Sequence, residues 1–204
     1  MSLINYLTRI HFGPGLLDDA LRQECGRLGI TRPMVVTDKG LVATGLPDRV
    51  SRVLEPDISS VIFDETPQNP TEVATQAGLQ LYRNEKCDAL LALGGGSAID
   101  LAKAIALTSS HDGPLSQYAA IQASVRDHGI VLNDHRKLGF ISPYLIPDAA
   151  ICDPELTLTL PPRLTAATGM DALTHCVETY IAAVFNPPAD GIAIDGLKRA
   201  AANI

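Results

Sequence analysis

One stretch of the chain constrains its fold more than any other: an apolar run that leads into three consecutive glycines and then into helix-forming sequence. The apolar run is Asp88–Leu93, the glycines are Gly94–Gly96, and the helix-forming sequence is Ser97–Leu107. A short apolar run bounded by a turn and a helix is typical of a buried strand in a parallel sheet. Three glycines let the backbone turn sharply there and approach a ligand without side-chain clashes.

The start of the helix after this turn offers a site for an anion. Its unpaired backbone amides and the positive end of the helix dipole favour a pyrophosphate group. Ser97 can cap the helix, and Asp100, three residues later, completes a pattern similar to a capping box. The pattern is neither G-x-G-x-x-G nor a P-loop, so a plain strand-to-helix turn without a ligand stays open as the alternative.

Strand-like and helix-like segments alternate along most of the chain. Strands are predicted at 8–12, 33–37, 60–63, 88–93 and 147–152, and helices at 15–28, 46–54, 71–84 and 97–107. This alternation predicts an α/β fold with a Rossmann-like parallel sheet and right-handed crossovers. Residues 111–148 are more polar, and we predict a pair of strands there, joined by an Asn-Asp turn at 133–134.

Asp38 stands directly after a predicted strand, as the glycine turn does. Ligands of parallel sheets bind beyond the carboxyl ends of the strands, so the Asp38 carboxylate can accept hydrogen bonds from a ribose. The alternative interpretation is a helix cap or a turn aspartate. In the usual Rossmann order the acidic residue follows the glycine turn, whereas Asp38 precedes it. The predicted nucleotide fold is therefore a variant.

Asp171 and His175 form a second candidate site. They are four residues apart in a segment with a helical pattern, so their side chains share one helical face. A carboxylate and an imidazole in this arrangement are common parts of iron and zinc sites. The alternative is a hydrogen bond or a weak ion pair on the helix surface. Two ligands do not close a catalytic metal site, so further ligands must come from elsewhere.

The composition argues against several classes of protein. The net charge of −7 and the pI of about 5.1 argue against a nucleic-acid backbone as partner. The sequence holds no apolar stretch of the roughly 18 residues that a membrane span needs, and its N-terminus lacks the pattern of a signal peptide. We therefore expect a cytoplasmic protein. The four cysteines contain no C-x-x-C pair, which argues against a zinc knuckle or a redox pair.

Five stretches of the sequence, in this order, resemble the N-terminal half of the iron-containing (group III) alcohol dehydrogenases. They are Val36–Leu41, Pro67–Thr71, Gly94–Lys103, Cys152–Leu156 and Ala167–His175. Asp171 distinguishes the chain from the similar maleylacetate reductases, which have Asn there and use no metal. The resemblance implies a nucleotide-binding α/β domain over 1–157 and the first part of an all-helical metal-binding domain over 158–204, with the metal in the cleft between them.

The same resemblance implies a role for each matching residue. The cofactor would contact Asp38, Asn69 and Lys137. Its pyrophosphate would lie on Gly95, Gly96 and Ser97, and the first two metal ligands would be Asp171 and His175. NAD is the expected cofactor, since the Asp38 carboxylate would repel the 2′-phosphate of the alternative, NADP. Fe²⁺ is the expected metal and Zn²⁺ the alternative. The implied reaction is hydride transfer between the nicotinamide and a small alcohol or aldehyde by a homo-oligomer, with the metal polarising the substrate oxygen.

The chain departs from the family pattern in two respects. Residues 121–126 stand where the family has an apolar strand and a Thr- and Gly-rich loop, so a central strand is predicted to be missing there. The family is also much longer, and two later histidines complete its metal site. In the truncated helical domain, Leu173, Val177 and Ile181 are predicted to be uncovered. Two alternatives stay open: a catalytically inactive remnant that binds at most a nucleotide or a partner, and a zinc-dependent relative such as glycerol dehydrogenase or dehydroquinate synthase.

Overall fold

The computed structural model describes residues 8–119, 130–131, 137–140 and 142–204. The described residues divide into two compact units. An α/β unit holds Thr8–Phe12 and Leu16–Cys152, and a helical unit holds Gly13–Gly15 and Asp153–Ile204. The predicted site of the missing strand, residues 121–126, lies outside the described residues, as does the predicted Asn-Asp turn at 133–134.

Strands and helices alternate in the α/β unit as the sequence predicts. In chain order they are β1 (Arg9–Phe12), α1 (Leu17–Leu28), β2 (Pro33–Val36), α2 (Lys39–Val42), α3 (Leu46–Leu54), β3 (Val61–Phe63), α4 (Glu72–Asn84), β4 (Ala89–Ala92), α5 (Gly96–Ser110), β5 (Ile130–Val131), β6 (Lys137–Leu138) and β7 (Ala149–Cys152). Gly29 ends α1 in the left-handed conformation, and the Thr71 hydroxyl caps α4 by accepting a hydrogen bond from the Ala74 amide. The predicted strand and helix types are confirmed, with small differences at their ends.

Parallel pairing organises the strands. β3, β2 and β4 form a parallel sheet with β2 in the centre, and β1 pairs with β7, also in parallel. The short pair of β5 and β6 is antiparallel, as predicted for the polar segment. At the carboxyl end of the three-stranded sheet, Val36 lies opposite Phe63 on one side and Ala92 on the other. The residues that follow these three strands therefore emerge side by side.

The core of the α/β unit lies between this sheet and the helices that follow β3 and β4. All four residues of β2 are buried, and Met34, Leu101 and Ile105 are 0% exposed. Gly78 lets α4 approach α5 closely, because a Cβ atom on it would lie only 2.5 Å from the Ile105 Cδ1 atom. Burial of these apolar side chains is the main source of stability for the unit.

A buried carboxylate ties α1 to β1. The Glu24 side chain is 5% exposed and accepts hydrogen bonds from His11 Nε2 at 2.7 Å, Arg27 Nε at 2.6 Å and Arg9 Nε at 3.1 Å. The bond from His11 is the largest cause that lowers the pKa of Glu24 from 4.5 to about 2, and the two arginines lower it further. The sequence pattern of α1 alone gave no sign of this charged contact.

The helical unit consists mainly of two helices that pack against each other, α6 (Pro162–Ile181) and α7 (Pro187–Asn203). Asp153 anchors its beginning, where its Oδ1 atom accepts hydrogen bonds from the amides of Gly15 and Glu155. None of the residues of α6 is buried, and Val177 and Ile181 are 37% and 72% exposed. Of the three residues predicted to be uncovered, Val177 and Ile181 are thus exposed and Leu173 is half-buried in the described chain. Among the described helices, none is long and apolar enough to cross a membrane.

The charged contact of Glu24 predicts a specific dependence of stability on pH. Its folded-state pKa lies below the unfolded value, so the contact stabilises the fold above about pH 4.5 and is lost as the pH falls towards about 2. In urea unfolding, the wild-type chain will lose stability more steeply than Glu24→Gln between about pH 5 and about pH 2. At pH 7 the variant will be the less stable of the two. Glu55→Gln, at an exposed position, serves as the control and keeps the wild-type profile; equal acid slopes for wild type and Glu24→Gln would contradict the assignment.

Candidate cofactor and metal sites

The glycine turn after β4 has two parts with different requirements. Gly94 has φ +147°, and a Cβ atom on it would lie 3.1 Å from the Ala98 Cβ atom and 3.2 Å from the Leu41 Cδ1 atom. Gly95 and Gly96 have ordinary φ values, and a Cβ atom on either would meet nothing within 4 Å. Gly94 is therefore required by the fold, whereas Gly95 and Gly96 keep the space above the start of α5 open.

Ser97 has a different role from the predicted one. The helix begins at Gly96 with Gly95 as the N-cap residue, and no side chain caps it. The predicted capping box from Ser97 and Asp100 is wrong because Ser97 already lies inside the first turn. Its hydroxyl instead donates a hydrogen bond to the backbone carbonyl of Gln68 at 2.5 Å. This bond joins the glycine turn to the loop after β3.

Asp38 is the N-cap residue of α2. Its Oδ1 atom accepts a hydrogen bond from the Leu41 amide at 3.1 Å, so the helix-cap interpretation is confirmed. Its Oδ2 atom lies beside the glycine turn, 3.9 Å from the position that a Cβ atom on Gly94 would take. The cap fixes the carboxylate in place and leaves it next to the turn, where the role of a ribose acceptor remains a proposal.

A cavity of about 640 Å³ opens where β2, β3 and β4 end. Its volume lies within the range of roughly 300–1,000 Å³ that is typical of sites for small molecules. The lining residues are Asp38–Gly40, Asp64–Gln68 and Gly95–Ala98. The structure thus brings together Asp38, Gly95, Gly96 and Ser97, four of the residues that the sequence singled out as cofactor contacts.

Two further predicted contacts are placed less directly. Asn69 is exposed and directly follows Gln68, a lining residue of the cavity. Lys137 begins β6, whose next residue, Leu138, is buried against Ala104 of α5. Both residues belong to the α/β unit, and their contacts with a cofactor stay predictions.

The sequence analysis gave no site role to the segment 64–68, which forms part of the cavity wall. Its last two residues appeared there only as the start of the family stretch Pro67–Thr71. It holds two carboxylates, Asp64 and Glu65, and the hydroxyl of Thr66. A signal was present, because the segment directly follows a predicted strand. Adjacent parallel strands end at the same edge of a sheet, so residues after the third strand meet those after the second.

The metal pair lies in the helical unit, on α6. Asp171 Oδ2 is 3.6 Å from His175 Nε2, and Glu178 Oε2 is 3.7 Å from His175 Nδ1. Oxygen and imidazole nitrogen are donors that suit Fe²⁺ or Zn²⁺, so the chemistry of the pair fits such a metal. In the described ranges no set of three or more His, Cys, Asp or Glu residues is arranged to hold a metal ion. The role of Asp171 and His175 as metal ligands therefore stays a prediction.

Comparison with known proteins places the chain in a family. Residues 8–154 match the family model described as iron-containing alcohol dehydrogenase. The chain belongs to the iron-containing alcohol dehydrogenase family. This match spans the α/β unit and includes the whole glycine turn and the cavity wall.

Relatives and solved structures agree with this membership. The chain is 48% identical to 4-hydroxybutyrate dehydrogenase of Cupriavidus necator, over 98% of this chain and 58% of that protein. A crystal structure of 1,3-propanediol oxidoreductase has a TM-score of 0.88 at 34% identity, covering 99% of this chain and 59% of that one. Sulfoacetaldehyde reductase from Bifidobacterium kashiwanohense, in complex with NAD⁺, has a TM-score of 0.85 at 25% identity, with coverages of 98% and 59%. The α/β fold predicted from the sequence is confirmed.

The chain differs from these family members in extent. It spans little more than half the length of the curated relatives that it matches. The alignment with the Cupriavidus necator protein runs over 223 positions, which exceeds the 204 residues of this chain. That relative therefore has positions without a counterpart here, in agreement with the internal deletion predicted from the sequence. The location of the deletion near 121–126 stays a prediction.

The two parts of the glycine turn predict different outcomes for the same substitution. Gly94→Ala forces a side chain into a left-handed conformation and against Ala98, so we expect the free energy of unfolding to fall by about 1–3 kcal/mol. Gly96→Ala, in open space on a helix, will keep or raise it, by up to about 1 kcal/mol. Urea unfolding of both variants checks this, and a Gly94→Ala chain as stable as Gly96→Ala would contradict it.

Proposed function

We propose that this chain is the nucleotide-binding part of an NAD-dependent and metal-dependent alcohol dehydrogenase. The reaction is hydride transfer between the nicotinamide and a small alcohol or aldehyde. The observation that carries the proposal is the cavity at the ends of β2, β3 and β4, with the glycine turn on one side and Asp38 on another. The proposal is supported by the family match, because the residues that line the cavity lie within the matched range 8–154.

The glycine turn holds the pyrophosphate of the cofactor. Gly95 and Gly96 leave the amides at the start of α5 open to a ligand, and α5 is 15 residues long. Its first amides and its dipole favour a negative group at this end. The bond from Ser97 to Gln68 keeps the turn in contact with the part of the cavity wall that follows β3. We expect Asn69 and Lys137 to complete the cofactor contacts.

Asp38 accepts hydrogen bonds from the hydroxyl groups of the adenosine ribose. Its capping bond to Leu41 holds the carboxylate beside the glycine turn, so little side-chain freedom is lost when a ribose binds. A fixed negative charge at this place disfavours a 2′-phosphate. The proposed cofactor is therefore NAD rather than NADP, which agrees with the NAD⁺ bound to the sulfoacetaldehyde reductase of similar fold.

Asp171 and His175 supply two ligands of an Fe²⁺ site, for which Zn²⁺ is the alternative metal. When bound, such a metal polarises the oxygen of an alcohol or aldehyde. The part of this chain is to present one carboxylate oxygen and one imidazole nitrogen on the same face of α6, 3.6 Å apart. Among the described residues, no group of three or more His, Cys, Asp or Glu side chains completes such a site.

A nucleotide-binding chain without catalytic activity is the second candidate. Two observations favour it: no group of three or more His, Cys, Asp or Glu among the described residues could hold a metal ion, and the Cupriavidus necator relative has positions that this chain lacks. For either candidate we propose a cytoplasmic homo-oligomer that binds neither nucleic acid nor membrane. The net charge of −7 supports the absence of a nucleic-acid partner.

Binding of ADP tests the nucleotide site without requiring the nicotinamide or the metal. Isothermal titration calorimetry of the purified chain will show one ADP site. Gly96→Ala will weaken binding at least tenfold, because its methyl group enters the space above the amides of α5 while the fold stays intact. Gly26→Ala, also in open space but on α1, is the matched control and will bind ADP as wild type does. A folded wild-type chain that does not bind ADP would sink the proposed site.

Turnover separates the two candidates. The purified chain is assayed anaerobically for oxidation of NADH with added Fe²⁺ and short aldehydes, and for reduction of NAD⁺ with 4-hydroxybutyrate. Turnover that needs Fe²⁺ and is abolished by Asp171→Asn supports the dehydrogenase. A chain that binds ADP and shows no turnover under any of these conditions supports the binding-only candidate. Replacing Fe²⁺ by Zn²⁺ in the same assay identifies the metal.

A further inference from the structure

We infer that Glu65 acts with Asp38 to select NAD over NADP, as a second carboxylate on the same wall of the cavity. The inference rests on the proposed function, since it concerns the adenosine end of the same site. Sequence reasoning and the family resemblance assigned no role to Glu65. Its placement next to Asp38 is a property of the folded sheet.

Backbone pairing brings the two residues together. β2 and β3 run in parallel, and beyond their ends the Thr37 amide donates to the Phe63 carbonyl at 2.8 Å. The Thr66 amide donates in turn to the Thr37 carbonyl at 3.3 Å. As a result, the backbones of Asp38 and Glu65 pair in an isolated bridge of antiparallel type. Main-chain hydrogen bonds on either side of Glu65 thus fix its position.

The shape of the cavity puts this pair at the adenosine end. One part of the wall is the start of α5, Gly95–Ala98, where the pyrophosphate is proposed to bind. The rest of the wall is formed by the segments after β2 and β3, Asp38–Gly40 and Asp64–Gln68. Among the described lining residues, these two segments are the ones that remain to receive the adenosine of a nucleotide whose pyrophosphate lies on the glycine turn. The 2′-position of the ribose therefore lies close to both carboxylates.

The charges of this wall are unfavourable for a second phosphate. Among the lining residues, Asp38, Asp64 and Glu65 are negative, and Lys39 is positive and exposed. A carboxylate about 6 Å from a doubly charged phosphate in water-like surroundings weakens binding by roughly tenfold. Glu65 is exposed, so its effect is of this size and is screened by salt. A neutral ribose hydroxyl carries no such penalty.

The test compares NADH with NADPH, which differ only by the 2′-phosphate. The measured quantity is the dissociation constant of NADPH divided by that of NADH, both from isothermal titration calorimetry at low salt. Wild type will prefer NADH. Glu65→Gln and Asp38→Asn will each lower the ratio by about tenfold, and the double variant by about a hundredfold. Asn still caps a helix, so Asp38→Asn keeps α2 intact. Glu65→Gln will change the affinity for NADH by less than about threefold.

Glu55→Gln is the matched control, because it removes the same charge from the same α/β unit at an exposed position away from the cavity. The Glu55→Gln variant will leave the ratio of dissociation constants unchanged. Added salt at about 0.5 M will reduce the effect of Glu65→Gln on this ratio, because it screens exposed charges beyond a few ångströms. If NADH binds and Glu65→Gln keeps the wild-type ratio, the inference about Glu65 is overturned and the cofactor site stands. If neither NADH nor ADP binds the folded wild-type chain, the proposed function itself fails and the inference fails with it.

Discussion

Two-sided pairing of the central strand β2 is the constraint on which the α/β unit depends. Its four residues are buried; Met34–Val36 pair with β3 on one side, and Pro33–Val36 pair with β4 on the other. A buried backbone group without a partner is costly, so this pairing fixes the register of all three strands. The register in turn sets which residues meet at the carboxyl edge. The glycine turn, Asp38 and the segment after β3 share one cavity for that reason.

The local features of this site were predictable from the sequence, and its long-range features only in part. The apolar run, the glycines and Asp38 each follow a rule of local spacing, and all three lie where that spacing predicts. Ser97 illustrates the limit, since the N-cap residue of α5 is Gly95, two residues before the position that the capping pattern indicates, and the Ser97 hydroxyl bonds to Gln68 instead. Glu65 illustrates the other limit, because its neighbour Asp38 is distant in sequence and close only through strand pairing.

The metal pair shows the same division between local and distant information. A spacing of four residues is enough to place Asp171 and His175 on one face of a helix, and the structure has them 3.6 Å apart. Ligands from other helices follow no local rule, so neither the spacing nor a single helix identifies them. The Glu24 contact with His11 and Arg9 was missed for the same physical reason, since it joins a helix to a strand that precedes it in the chain.

The hydrogen bond from the Ser97 hydroxyl to the Gln68 carbonyl links two walls of one cavity, which we propose to receive different parts of a nucleotide. When a phosphate group settles on the start of α5, this bond transmits the loss of motion to the loop after β3. An adenosine that arrives at an already ordered loop has less conformational entropy to lose. The pyrophosphate and the adenosine of the cofactor would therefore bind cooperatively through shared rigidity, without any change of shape. In the proposed site the serine would thus act as a thermodynamic coupler between the pyrophosphate and the adenosine of the cofactor.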